Sequence, residues 1–268
     1  MPDTYTHGHH ESVLRSHRWR TAENSAAYLL PHLRPGLELL DVGCGPGNIT
    51  CDLADRVAPG RVVGLDASAE VVAAARAEAR ERGTANVSFE AGDLYAMEVE
   101  DDAFDVIHAH QVLQHLTDPV TALRELRRVV RPDGMVAVRD SDYAAMTWAP
   151  DEPRIDRWLE LYHEVTARNG AEADAGRRLL GWARQAGFTS IDVSSSTWTY
   201  ADPASRVWWG DLWADRVGLT DSPLARQAVE YGLSTPDELA DLAAGWRSWA
   251  AEEDGVFVVL HVEVRARG

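Results

Sequence analysis

The sequence predicts an α/β protein built on a doubly wound sheet of seven strands. From about residue 37 to residue 140, short apolar runs alternate with longer amphipathic segments, which is the pattern of consecutive βαβ units. A glycine-rich loop directly follows the first apolar run. The chain ends in an apolar run with a period of two, which is typical of an antiparallel strand.

The first half of the chain supplies most of the predicted sheet. Residues 11–33 are predicted as a helix whose polar middle allows a break, and Pro35-Gly36 ends it. The predicted strands that follow are 37–42, 61–66, 86–93, 104–110 and 135–140, and the helices between them are 48–56, 69–82 and 119–130. Strands that alternate with helices of this length favour a parallel sheet covered on both faces.

After residue 140 the pattern changes. Helices are predicted over 152–169 and 174–186, followed by strands over 188–200 and 256–264 that form an antiparallel pair. Residues 201–252 are predicted to be helical and carry half of the ten tryptophans, so they are interpreted as a cap inserted between the last two strands. The expected organisation is an N-terminal helical segment (1–36), a core (37–200), the helical lid (201–252) and a final core strand (253–268).

Composition narrows the class of function. A chain of 268 residues fits one α/β domain with an insertion, and the net charge of −17 disfavours binding to a phosphate backbone. The cluster formed by Arg124, Arg127, Arg128 and Arg131 is interpreted as the solvated face of a helix. Two cysteines give no disulfide framework, and neither a signal peptide nor a membrane span is recognisable. We therefore expect a cytoplasmic protein that acts on a small molecule.

The segment LELLDVGCGPGN carries the strongest local signal. Asp41 ends a strand, and Gly43, Gly45 and Gly47 follow at once, so the backbone can lie close to a ligand at the carboxyl end of the strand. A dinucleotide fingerprint requires glycine at position 48, where this chain has Asn48. The loop therefore favours an adenosyl ligand without a pyrophosphate, while a dinucleotide site and a ligand-free turn stay open as alternatives.

Two further carboxylates end the next two strands. Asp66 follows the glycine loop by some twenty residues, where a carboxylate can accept hydrogen bonds from both ribose hydroxyls. Asp93 ends the third strand and could hold an adenine amino group while Leu94 packs on the ring. A helix cap and a simple turn are the structural alternatives. Because parallel strands end at one edge of a sheet, the three carboxylates are expected in one crevice.

Five segments, LELLDVGCGPG, VVGLD, FEAGDL, FDVIHAHQVLQHL and LRRVVRPDGMVAVRD, resemble the core motifs of class I S-adenosylmethionine methyltransferases in order and spacing. The branch that contains the menaquinone and ubiquinone biosynthesis methyltransferases is especially similar. The segment HGHHESVLRSHRWRTAENSAAYLLPHL is similar to that of bacterial and fungal methyltransferases, some from secondary metabolism. The resemblance implies the strand order 3-2-1-4-5-7-6 with strand 7 antiparallel.

The resemblance also implies roles for individual residues. Gly43, Cys44 and Gly45 would line the methionine portion of S-adenosylmethionine, and Asp41 would orient the loop. Ribose would contact Asp66 and the neighbouring Ala67, and adenine would contact Asp93 and Leu94. An NAD-type oxidoreductase and a non-catalytic adenosyl-binding module are the alternative functions.

Histidines are the first candidates for catalysis. His110 stands where amino-methylating relatives begin an Asn-Pro-Pro-Tyr motif, so methylation of nucleobase nitrogen is not expected. His110 is predicted to contact cofactor and acceptor and to position the acceptor or act as a base, with His115 as second candidate. Tyr143 follows the fifth strand, together with Asp140 and Asp142, and could reach the same crevice. Histidines that serve only the core remain the alternative.

The N-terminal segment holds two further candidate groups. His7, His9 and His10 could ligate a metal, but no acidic or cysteine partner is placed beside them and no metal site is predicted. Arg18 and Arg20, with Trp19 between them, could fold over the cofactor and pair with its carboxylate, or lie on a surface helix.

The predicted acceptor rests on the tryptophans of the lid. Trp208 and Trp209 are adjacent and are expected to point to different faces of a helix. At most one of them can belong to a given apolar stripe of that helix, so the other needs a separate explanation. An aromatic or largely apolar acceptor would supply it, and packing of the lid on the sheet is the structural alternative. The partner expected is this small molecule, with no nucleic acid and no membrane, and a homodimer is possible.

Overall fold

The computed structural model describes residues 16–17 and 19–268 and confirms the mixed α/β sheet. Its strands are β1 (Leu39–Val42), β2 (Val62–Asp66), β3 (Val87–Ala91), β4 (Phe104–His110), β5 (Val130–Ser141), β6 (Thr147–Ala149), β7 (Ser190–Tyr200) and β8 (Val256–Arg267). The strand order is β3-β2-β1-β4-β5-β8, with β7 pairing along the other side of β8. The predicted order of seven strands, with the last one antiparallel, is therefore confirmed.

One strand is additional to the prediction. The three residues of β6 pair with the start of β8, on the same edge that β5 occupies farther along. Every residue of β1 is buried and β4 is nearly so, because helices cover both faces of the parallel part of the sheet. The carboxyl ends of β1, β2 and β4 consequently meet in one place, in the register Val42 to Leu65 and Val42 to Ala109.

The helices are α1 (Ala22–Ser25), α2 (Asn48–Val57), α3 (Ala69–Arg82), α4 (Pro119–Val129), α5 (Pro153–Arg168), α6 (Ala175–Ala186), α7 (Pro203–Gly218), α8 (Pro223–Glu230) and α9 (Pro236–Ala251). The bounds predicted for α2 to α6 agree within one residue. Helix α4 buries Leu123 and Leu126 and turns Arg128 outward, where it pairs with Glu125 at 2.6 Å. The arginine cluster therefore includes a solvated helix face, as predicted.

A single helix over 11–33 does not form in the part of this segment that the structure describes. Its described residues contain the four-residue α1 and a 3₁₀ turn over Leu30–His32. Thr21 and Asn24 form a capping box that starts α1, and Pro31 sits in the first turn of the 3₁₀ helix. The capping box and the proline each begin a new helical turn, so they interrupt the i to i−4 backbone hydrogen bonds that one continuous helix would need.

Four helices pack together beside the sheet and form a unit called the cap here: α5, α7, α8 and α9. Their buried side chains share one apolar cluster. The rings of Trp158 in α5 lie 4.5 Å from Trp213 in α7 and 4.8 Å from Trp246 in α9. Helix α5 thus belongs to the cap by packing, although the predicted boundary assigned 153–168 to the core. In the described residues, no helix has both the length and the apolarity that a bilayer crossing requires.

Candidate active site

A cavity of about 1180 Å³ opens at the carboxyl ends of β1, β2, β4 and β5. It exceeds the roughly 300–1,000 Å³ of a pocket for one small ligand, so it can hold two. One part, the glycine-loop half, is lined by Asp41, Gly43, Cys44, Gly45, Asp66, Ala67, Asp93 and Leu94. The other part, the aromatic half, is lined by Trp19, Tyr143, Trp198, Tyr200, Trp208, Trp209 and Trp213. All of the sequence-predicted cofactor residues therefore border one cavity.

The glycine loop has the conformation that its sequence predicts. Gly43, Gly45 and Gly47 have φ values of +64°, +54° and +87°. An added Cβ at Gly43 would clash with the side chain of Val112. The Asp66 carboxylate fixes the loop, because its Oδ2 accepts a hydrogen bond from the Gly45 N–H at 3.1 Å. Only glycine meets both the backbone and the space requirements at this point.

Asp41 joins three elements underneath the loop. It is buried, Thr50 Oγ1 of α2 donates to its Oδ2 at 2.5 Å, and His108 Nδ1 of β4 lies 2.7 Å from its Oδ1. The carboxylate thereby connects β1 to α2 and β4 and orients the loop. Cys44 lies beside it, and burial raises the pKa of the Cys44 thiol, so the sulfur stays protonated.

The residues of the glycine-loop half fit S-adenosylmethionine. From the described residues, Asp66 accepts two backbone N–H groups, of Gly45 and of Ser68 at 3.0 Å, and its oxygens retain lone pairs for two ribose hydroxyls. Asp93 is exposed, and its Oδ1 accepts from the Tyr95 N–H at 2.9 Å, so its other oxygen could hold an adenine amino group. Gly45 also borders this half of the cavity, and its lack of a side chain leaves the backbone open to a ligand.

Arg20 lies in the wall of the cavity and not on an outer helix surface. Its Nη2 donates to Gln111 Oε1 at 2.6 Å, and its guanidinium lies 5.6 Å from the centre of the Trp198 ring. Trp19 beside it packs on Trp198 and Trp208. The candidate residues Arg18, His7, His9 and His10 lie outside the described residues.

His110 ends β4 at the boundary between the two halves. Arg139 Nη1 lies 3.4 Å from His110 Nδ1, and since a guanidinium can only donate, the ring proton belongs on Nε2. Within the described chain, Nε2 has no hydrogen-bond partner. Burial, reinforced by the charges of Arg139 and Arg20, holds the pKa of His110 well below its usual value. The ring is therefore a neutral N–H donor at physiological pH.

His115 and Tyr143 also border the cavity. Gln114 Oε1 accepts from Ser141 Oγ at 2.7 Å, which turns its Nε2 toward His115 Nε2 at 3.0 Å. Burial lowers the pKa of His115 to about 3, so this ring is neutral as well. Tyr143 stacks on Tyr162 with ring centres 4.0 Å apart, which fixes it as a wall of the cavity.

The two aspartates beside Tyr143 do not reach the crevice. Asp142 forms an ion pair with Arg177, with a shortest distance of 2.5 Å. Asp140 Oδ1 accepts from the Gln114 N–H at 3.1 Å behind the wall, and burial raises the pKa of Asp140 to about 7. The described cavity wall contains neither residue, which corrects the prediction that they could face the acceptor.

Sequence reasoning missed several residues of the site. Trp198 and Tyr200 are aromatic residues two apart on β7, and this period-two spacing was a usable signal. Arg216 lies three residues after Trp213 on α7, on the same helix face. Gln111, whose φ is +54°, gave no signal beyond its place after His110. Tertiary contacts alone bring Gln111 between Arg20 and His261, whose Nε2 is 2.9 Å away.

Comparison with known proteins supports the same assignment. Residues 33–195 match a family model described as a methyltransferase domain. An uncharacterized methyltransferase from Schizosaccharomyces pombe is 33% identical over 97% of this chain and 95% of its own length. A protein named as a probable methyltransferase, ltbC, from Aspergillus luteorubrus is 29% identical over 98% of this chain and 97% of its own.

Solved structures share the fold. A Haemonchus contortus phosphoethanolamine N-methyltransferase, solved with phosphomonomethylethanolamine and S-adenosylhomocysteine, superposes with a TM-score of 0.59 at 17% identity over 96% of this chain and 57% of its own. The strand order, the glycine loop with its three carboxylates and the family match lead to one conclusion. This chain belongs to the class I S-adenosylmethionine-dependent methyltransferases.

Proposed function

We propose that the protein transfers the methyl group of S-adenosylmethionine to an aromatic or largely apolar small molecule bound in the aromatic half of the cavity. The observation that carries this proposal is that Trp208, Trp209 and Trp213 of α7 border the same cavity as the glycine loop. Helix α7 of the 201–252 segment thus supplies part of the cavity wall, which supports a role for this segment in covering the acceptor. Trp246 and Trp249 do not border the cavity as described and serve the core of the cap.

The aromatic half offers ring faces from three parts of the chain. Trp209 stacks on Tyr200 with ring centres 4.3 Å apart, and Trp208 packs against Trp19 at 5.4 Å. Trp198 joins them through an edge contact with Trp19 at 5.2 Å. Each well-placed ring pair contributes about 0.5–1.5 kcal/mol beyond area burial, so a flat acceptor gains several such contacts. The net charge of −17 favours a small molecule over nucleic acid.

His110 would position the acceptor in this proposal. Its Nε2–H is a neutral donor at the boundary between the two halves, where an oxygen of the acceptor could accept a hydrogen bond from it. A lowered pKa makes His110 a poor general base near neutral pH, which favours positioning over proton removal.

Little further chemistry is required of the protein. Bound S-adenosylmethionine supplies a methyl carbon that is already activated as part of a sulfonium. The chain must align the acceptor and exclude water. Tyr143, Trp198 and the cap supply apolar walls for the second task, and Arg20 closes the wall beside Gln111.

Labelled S-adenosylmethionine and a library of small acceptors would test the proposal. We expect label in aromatic or largely apolar products, identified by mass spectrometry. Trp208→Ala should raise the KM of such an acceptor at least several-fold and leave the affinity for S-adenosylhomocysteine unchanged. Transfer confined to polar aliphatic acceptors, insensitive to Trp208, would contradict the acceptor class.

The role of His110 has its own test. His110→Ala should lower kcat by about ten- to a thousandfold while the affinity for S-adenosylhomocysteine changes little, since the ring acts on the acceptor. Circular dichroism would control for folding. Full activity of this variant with every accepted substrate would rule out the positioning role.

A further inference from the structure

Two arginine side chains lie in the wall of the aromatic half of the cavity. Arg20 and Arg216 both border it. Arg216 is only 5% exposed, its Nη2 donates to Ser16 Oγ at 2.6 Å, and its guanidinium lies over Trp213 at 4.9 Å from the ring centre. The aspartates described in the cavity wall, at positions 41, 66 and 93, all belong to the glycine-loop half.

The fields of these arginines converge on the acceptor position. Arg20 and Arg216 both act to lower the pKa of His115 on one wall. The same two guanidiniums, with Arg139, oppose the rise that burial causes in the pKa of Tyr200 on another wall. A ligand between these walls experiences the same charges, and in a buried site they are weakly screened.

Neighbouring side chains fix which ring nitrogen carries the proton in His110 and in His115. The Nδ1 atom of His110 is occupied by Arg139, which leaves an N–H donor on Nε2. In the same manner, Gln114 Nε2 donates a hydrogen bond to His115 Nε2. Burial lowers the pKa of both rings, and Asp140 lies behind the wall. Neither ring is therefore an effective base near neutral pH, whereas an anion can approach two guanidiniums and an N–H donor.

We propose that the acceptor binds and reacts as an oxyanion, so that the substrate class is a flat, apolar molecule with an acidic hydroxyl group, a phenol or an enol. This inference rests on the proposed function of the aromatic half. The proton leaves to solvent when the acceptor binds. The acceptor oxygen then forms the O–CH₃ bond as the C–S bond of the sulfonium breaks, and the bonding electron pair stays on sulfur. The negative charge of the oxyanion and the positive charge of the sulfonium cancel. Because the oxygen has already lost its proton, the transfer step itself moves no proton.

Two ligands of equal shape test the preference for an anion. The protein, saturated with S-adenosylhomocysteine, is titrated in a calorimeter with 2-naphthoate and with the neutral 2-naphthamide at low ionic strength. We expect the anion to bind about ten- to a hundredfold more tightly, the contribution of one or two charge-assisted hydrogen bonds. Equal binding, or tighter binding of the amide, overturns the inference and leaves the aromatic acceptor intact. Binding of neither ligand overturns both.

Variants assign the preference to the arginines. Arg216→Met should reduce the ratio of the two affinities at least several-fold, and Arg216→Lys should retain most of it because the charge remains. If Arg216→Met does not fold, Arg20→Met tests the same reduction in the ratio of the two affinities. The exposed Arg226, which lies 3.7 Å from Glu230 outside the cavity, provides the control Arg226→Met with an unchanged ratio.

A chromogenic phenol reports the ionisation of the hydroxyl directly. We expect the hydroxyl of 4-nitrophenol, followed by its absorbance, to have a pKa at least one unit lower when it is bound to the S-adenosylhomocysteine complex than when it is free in solution. The shift should shrink in Arg216→Met and persist in Arg226→Met. A bound pKa equal to or above that of free 4-nitrophenol contradicts the inference, since the site would then favour the neutral hydroxyl.

Discussion

At the scale of single residues, the site depends on polar side chains that hold backbone and ligand together. Asp66 is such a residue, since it accepts the N–H groups of Gly45 and Ser68 and also borders the cavity. His110 is another, since Arg139 beneath it fixes which ring nitrogen carries the proton. In both cases the partner lies on a different element, so the function of the residue depends on the fold around it.

Substitution of Asp66 tests the cofactor half. Asp66→Ala should weaken binding of S-adenosylhomocysteine by about ten- to a hundredfold, because one or two charge-assisted hydrogen bonds to ribose are lost. Isothermal titration gives the dissociation constant. The exposed Asp192 on β7, outside the cavity, offers the control Asp192→Ala with unchanged affinity. Equal affinities for both variants would exclude ribose binding by Asp66.

Gly43 gives a prediction about stability. Gly43→Ala combines a positive φ of +64° with a clash against Val112, so it should lower the free energy of unfolding by about 2–5 kcal/mol. The double variant Gly43→Ala/Val112→Ala should recover the part of this loss of unfolding free energy that comes from the clash with the Val112 side chain. Gly36→Ala, at φ +93° with open space around it, should show only the backbone cost of about 1–2 kcal/mol. Urea unfolding measures all three, and equal losses at positions 43 and 36 would refute the clash.

At the scale of elements, the cap separates two uses of tryptophan. Trp158, Trp246 and Trp249 are fully buried away from the described cavity wall, and Trp249 Nε1 donates to the carbonyl of Ala149 in β6 at 3.0 Å. Trp208 on α7 is only half-buried and borders the cavity. The expectation that the adjacent Trp208 and Trp209 point to separate surroundings is wrong, because both border the cavity, both contact Tyr200 and their ring centres lie 6.1 Å apart.

A matched pair of variants tests this separation. Trp246→Ala should lower the free energy of unfolding by about 3–5 kcal/mol, since it leaves a cavity among Trp158, Trp213 and Phe257. Trp208→Ala should cost about 1 kcal/mol or less of stability and mainly weaken acceptor binding. Chemical denaturation and acceptor titration distinguish the two effects. The opposite pattern would show that the cap is held together by its cavity wall.

At the scale of the whole molecule, buried titratable groups connect stability to pH. Burial lowers the pKa of His110, His115 and His261. As pH falls below about 6.5, the unfolded chain binds up to three protons that the folded chain refuses, so stability decreases. Asp140 opposes this, because its pKa is raised to about 7 and the folded state keeps a proton that the unfolded chain releases above about pH 4.

Three histidines outweigh one aspartate. We expect the free energy of unfolding to be about 2 kcal/mol lower at pH 5.5 than at pH 7.5, from urea unfolding at both values. His115→Gln should remove about one third of the histidine contribution. Stability that is constant or rises as pH falls over this interval would contradict the prediction.

Much of the fold was predictable from the sequence alone. Period and length of the apolar runs identify β1 to β5, β7 and β8 and the helices between them. Because parallel strands end at one edge of the sheet, the sequence also predicts that Asp41, Asp66 and Asp93 lie near one another, and they do border one cavity. These features depend on neighbouring residues and on general rules of sheet topology, which a sequence contains.

Tertiary structure decided what depends on contacts between distant parts of the chain. Arg216 meets Ser16 across 200 positions, and Trp198 donates to the carbonyl of Asn24 across 174. The inclusion of α5 in the cap, the neutral state of His110 above Arg139, and the pairing of Asp142 with Arg177 are decided in the same manner. Local periodicity shows which face of an element is apolar, but not which distant side chain packs against it. The chemistry of the acceptor half therefore follows from packing, whereas the chemistry of the cofactor half is already present in the motifs.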